Sequence, residues 1–208
     1  MAQIENRSIR LYVTIQGILG GLVGMIHGFA GTQQGNRPTE GSWLVSIGAF
    51  TLIPNYLVTG IAAILVGLCI LFWTIGFIHT KHGATVFLIL SIASFLVGGG
   101  VAQVVFFLIA WGVATQIRQP LAWWRKTLSE SFRKRLAKGW QLNFAAGYLF
   151  LLIGVVIWLV WTPPGAAYKD PLAQYICWAS LLIGLVFQVL TIVSGFARDI
   201  QRQDGETG

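Results

Sequence analysis

His27 stands just before the densest polar stretch of the chain, residues 31–42, which carries Gln33, Gln34, Asn36, Arg37 and Glu40. An imidazole and a carboxylate at one place supply a candidate base and acid, and neighbouring amides add groups that can orient a ligand. His27, Gln33, Gln34, Glu40 and Asn55 are therefore the candidate ligand-binding residues. The other two histidines, His79 and His82, flank Lys81 in a five-residue link between apolar runs. Threading the runs as antiparallel helices puts His27 about a membrane thickness away from them, so one haem or metal cannot join them. His79 and His82 alone, without a nearby acid or thiol, make a poor metal pair. Neither a metal nor a cofactor is expected, and there is no nucleophilic serine, H-E-x-x-H, Walker or dinucleotide fingerprint.

A second set of residues suggests packing rather than catalysis. Gly17 and Gly21, and then Gly20, Gly24 and Gly28, form overlapping G-x-x-x-G pairs, which strip side chains from part of one helix and let another backbone approach. That helix can pack inside the monomer or against a second copy or partner membrane subunit. Gln103 and Gln188 lie in apolar runs at similar depth, so their amides are candidates for an interhelical hydrogen bond.

The elements that position these groups belong in lipid. Of 208 residues, 55% are apolar and 10% charged, whereas a soluble domain carries about 25% charged residues to cover its core. The expected fold is an all-α integral membrane protein, read as one polytopic domain of about five spans: residues 11–30, 54–78, 84–115, 142–161 and 172–197. Pro54 is expected in the first turn of the second span. Residues 43–53 are expected to be a re-entrant or interfacial piece. Residues 84–115 carry Gly98, Gly99 and Gly100 at their centre, which fits a kink, an unwound stretch or a close helix contact equally well. Thr162 to Gly165 break the chain before the last span, and residues 198–208 read as a polar tail, disordered at its end.

Between the third and fourth spans, Leu121, Trp124, Leu128, Phe132 and Leu136 recur at helical spacing within a strongly basic segment. The pattern predicts an amphipathic helix over residues 121–138 lying on the bilayer, ended by Gly139, with Arg125, Lys126, Arg133, Lys134, Arg135 and Lys138 on anionic headgroups. The net charge of +7 is thus read as a membrane contact, with no nucleic acid partner. Five spans place ten of the 14 Lys and Arg on the face of the C-terminus, which the positive-inside rule assigns to the cytoplasm. Arg7 and Arg10 dissent, because they favour an N-terminus on that same face. The function expected from these features is a non-enzymatic accessory or scaffold protein of the plasma membrane. A small permease or channel component is the alternative, and a membrane-embedded enzyme acting on an apolar substrate comes after it.

Overall fold

The computed structural model describes residues 4–44, 47–161 and 171–206. They form α1 (Arg7–Thr32), β1 (Trp43–Leu44), β2 (Ala49–Phe50), α2 (Tyr56–Gly76), α3 (Gly83–Leu96), α4 (Gln103–Ala114), α5 (Ala122–Thr127), α6 (Glu130–Trp161) and α7 (Pro171–Glu206). Among the described residues, α1, α2, α6 and α7 are long and apolar enough to cross a membrane. Burial runs opposite to that of a soluble protein: Phe72, Leu142 and Tyr175 are each more than 70% exposed, while Thr59, Thr74, Thr191 and Ser194 are fully buried. Many large apolar side chains outside, with hydroxyls buried between helices, suit a lipid solvent.

Contacts group the chain into two compact units, Met1–Gln119 and Pro120–Gly208. In the first unit α1 and α2 run antiparallel, with Gly28 against Gly60 and Gly21 against Gly67. Next, α3 runs back along α2: the Trp73 indole donates to the Gly83 carbonyl at 3.0 Å near one end, and the Thr59 hydroxyl donates to the Val97 carbonyl at 2.8 Å near the other. The last helix of the unit, α4, then descends along α1. Gly20 meets the Phe107 ring, and the Asn6 amide donates to the Ile117 carbonyl at 2.8 Å.

The uncharged stretch 84–115, expected as one segment, is therefore two helices lying side by side, and Phe87 and Phe107 meet edge to face at 5.7 Å. Local backbone chemistry permits the reversal. Gly98, at φ 92°, takes a left-handed conformation that only glycine adopts cheaply. Its N–H reaches the Phe95 carbonyl while the Gly99 N–H reaches that of Ser94, which is the Schellman way of closing a helix. Gly100, at φ 100°, completes the turn.

Residues 43–53 contain no α-helix among those described. Trp43 pairs with Phe50 and Leu44 with Ala49 in a small antiparallel ribbon, between which Val45 and Ser46 lie outside the described residues. The ribbon supplies partners for backbone groups that the glycine turn exposes: Val101 N–H donates to Gly48, and Leu52 N–H donates to Leu96. Pro54 is not in the first turn of α2. The helix starts at Tyr56, because the Asn55 carboxamide caps it by accepting the Val58 N–H at 3.1 Å.

In the second unit α6 and α7 form a long antiparallel hairpin, with Gly154 against Leu181, Gly184 against Leu151 and Gly147 against Gln188. The flat helix expected over 121–138 is replaced by two pieces. The first, α5, ends at Thr127, Leu128 is extended, and α6 begins at Glu130. Gly139 does not stop α6. An interior glycine costs about 1 kcal/mol, less than the hydrogen bonds lost by breaking a 32-residue helix. The polar tail is likewise helical to Glu206, held by Arg125 on Asp204 and by Trp124 stacked on Phe196 at 4.4 Å. The breaker cluster at 162–165 and Lys169 fall outside the described residues.

Candidate functional site

Two polar clusters interrupt the apolar fold. The first lies under the glycine turn of the first unit. His27 sits one turn before the end of α1 and is tied at Nδ1 to the Val23 carbonyl, 2.9 Å away. Its Nε2 and the Gln103 amide nitrogen lie about equally close to the position that a Cβ on Gly100 would take, so the two side chains flank one point. Ser94 packs against Gly99, and its hydroxyl also faces Gly24. Gln103 is 6% exposed, and among the described residues neither its oxygen nor its nitrogen has a hydrogen-bond partner. One turn along α4 from Gln103, the buried Phe107 ring fills the space over Gly20 and meets Phe87.

The acid and base of the sequence reading are not brought together. Glu40 is exposed, and no hydrogen bond or ion pair among the described residues joins it to His27. Gln33 ends α1, with its N–H donating to Phe29. Gln34 accepts from Arg37, whose guanidinium lies 5.3 Å over the Tyr56 ring. Asn55 caps α2 and donates to Asn36 at 2.8 Å, so it ties the link to the helix. Asn55→Ala should accordingly lower the stability of the detergent-solubilised protein by about 0.5–2 kcal/mol. A thermal melt unchanged from wild type would show that the cap carries no weight.

All six α1 glycines face neighbours within the first unit, Gly17 meeting Thr74 and Gly24 lying near Ser94 and Gln103. His79 and His82 lie in the link between α2 and α3, at the opposite end of the bundle from His27. No group of three His, Cys, Asp or Glu able to hold a metal occurs among the described residues. Gln103 belongs to the first unit and Gln188 to the second, where Gln188 packs on Gly147.

The second cluster is basic. Lys138 and Gln141 on α6 and Arg198, Gln201 and Arg202 on α7, with Ala137 beneath, line an open groove of about 390 Å³. Arg198 lies 4.8 Å over the Trp140 ring, and Arg202 is 3.8 Å from the buried Asp199. Other cations of the segment have local partners: Arg125 binds Asp204 and Gln203, Arg133 donates to the Arg125 carbonyl, and Lys134 pairs with Glu130. Sequence reasoning found Lys138 but missed Arg198 and Arg202, which it placed in a loose tail. The spacing of Arg198, Gln201 and Arg202 at three and four residues carried the signal. Compared with known proteins, the chain matches no family model, no curated protein and no solved structure.

Proposed function

We propose that the chain is a non-enzymatic, multi-pass protein of the plasma membrane, of accessory or scaffold type, with six crossings and both termini in the cytoplasm. The observation that supports this reading is the reversal at Gly98 to Gly100, which turns residues 84–115 into a hairpin of two shorter apolar helices, α3 and α4, where a single crossing was expected. Counted along the chain, the even number returns the C-terminus to the face of the N-terminus. It also resolves the dissent of Arg7 and Arg10. With six crossings, 12 of the 14 Lys and Arg fall on one face and only Arg37 and Lys169 on the other, a sharper division than five crossings allow. The packed Phe87 and Phe107 rings favour a structural role over a conduit.

A permease or channel component is the second reading, and the Gln103 amide beneath the glycine turn, without a hydrogen-bond partner among the described residues, is what favours it. For the topology, reporters fused at the two termini should both read cytoplasmic. A Glu40→Cys variant, made in a chain with Cys69 and Cys177 replaced by Ala, should react with an impermeant thiol reagent from outside intact cells. An external N-terminal reporter would return the count to an odd number and overturn the six-crossing reading.

A further inference from the structure

We propose that the groove formed by Lys138, Gln141, Arg198, Gln201 and Arg202 is a specific site for the phosphoryl group of an anionic phospholipid. The inference rests on the membrane reading above and goes further, from a diffuse basic surface to one site for one headgroup. The lining residues come from two helices at helical spacing, so two rigid elements hold the cations and amides in place. Among the described residues Lys138 and Arg198 have no acidic partner, and Arg202 has only Asp199 at 3.8 Å. Three cations against one acid leave the groove positive. Arg198 is held over Trp140 while its donors stay open to an anion, and guanidinium groups bind phosphate oxygens through paired N–H donors. Gln141 and Gln201 add neutral donors for a phosphodiester.

Lipid is favoured over a free phosphate by what adjoins the groove. Immediately past Gln141 the exposed surface of α6 turns apolar, with Leu142 71% and Leu149 55% exposed. A phosphoryl group in the groove therefore has acyl-compatible surface beside it, as a phospholipid requires and inorganic phosphate does not.

The test uses the full chain in a neutral detergent and follows its melting temperature during titration with short-chain phosphatidylglycerol, short-chain phosphatidylcholine or inorganic phosphate. Phosphatidylglycerol should raise the melting temperature saturably, with little effect from the other two. Combined Lys138→Gln, Arg198→Gln and Arg202→Gln should weaken the titration midpoint about a hundredfold, since each cation near a headgroup contributes roughly a factor of five. Lys81→Gln, an exposed lysine in the link between α2 and α3 and outside the groove, should leave the midpoint unchanged. Single Lys138→Gln is exposed and serves where the triple variant fails to fold; it should weaken the midpoint about fivefold.

Equal midpoints for wild type and the triple variant would overturn the site, as would the same response to phosphatidylcholine. Saturation by inorganic phosphate at the same concentration would overturn the lipid assignment. The underlying membrane reading fails separately, and would do so if alkaline carbonate released the protein from membranes.

Discussion

Gly60→Ala is expected to destabilise the detergent-solubilised protein by about 1–3 kcal/mol, as overpacking does in a tight interior, while Gly24→Ala should be neutral or stabilising by about 0.5–1 kcal/mol. Both positions are helical glycines, and the difference lies in what a methyl group would meet. At Gly60 it would stand 2.5 Å from the Gly28 carbonyl oxygen and 2.7 Å from the Thr32 nitrogen, both backbone atoms of the facing helix. Backbone cannot rotate away, so α1 and α2 must separate. The separation is costly because in lipid their association has no hydrophobic drive, only close packing. At Gly24 the nearest atom is the Ser94 hydroxyl at 3.5 Å, an ordinary contact, and the helix gains by losing a glycine. Paired melts of the two variants decide the matter. If Gly60→Ala melts with wild type, the helices do not approach as described; if its only effect is a change in oligomer size, the seam belongs to a subunit contact.

This pair also shows how far the sequence could be read. The glycine pattern marked α1 as a packing helix, and the backbone-to-backbone crossings draw on only part of that pattern. G-x-x-x-G pairs drew attention to steps of four, whereas the close crossings are Gly21 with Gly67 and Gly28 with Gly60, steps of seven on both helices. A seven-residue repeat keeps contacts aligned between nearly parallel axes, and Gly24, between them, faces Ser94 and Gln103 instead. Which of two overlapping patterns forms the contact depends on the partner helix, and one helix cannot report that.

The apolar cores of α1, α2, α6 and α7 were legible because a hydrocarbon solvent demands long uncharged runs. The helical reversal was only half legible. The signal was present as three glycines in the middle of a run longer than one crossing requires, but a kink, an unwound stretch and a turn share that signature. What selects the turn is tertiary: the ribbon that binds Val101 and Leu96, and the Thr59 hydroxyl that holds Val97. The groove was hidden for a similar reason. Arg198 and Arg202 read as part of a polar tail until α7 was seen to continue through them and lay them beside Lys138.

Gln103→Leu is expected to stabilise the protein by about 1–3 kcal/mol, the usual cost of a buried polar group left without a hydrogen bond. Leucine is close to glutamine in volume, so the substitution changes polarity more than packing. The site is 6% exposed and lies on α4 beside Gly24, Gly100 and the His27 ring. The sign of the effect separates the two functional readings. In a scaffold, with Phe107 packed edge to face on Phe87 one turn from the site, the amide is an uncompensated desolvation, and removing it raises the melting temperature. In a conduit the same amide hydrogen-bonds to what passes, so Leu would lose those bonds and melt at or below wild type. A control at the ring fixes the interpretation. Phe107→Ala should destabilise by about 3–5 kcal/mol through the cavity it leaves; if instead it costs little and opens the bundle to a membrane-permeation assay, the aromatic pair is a gate, and the scaffold reading fails.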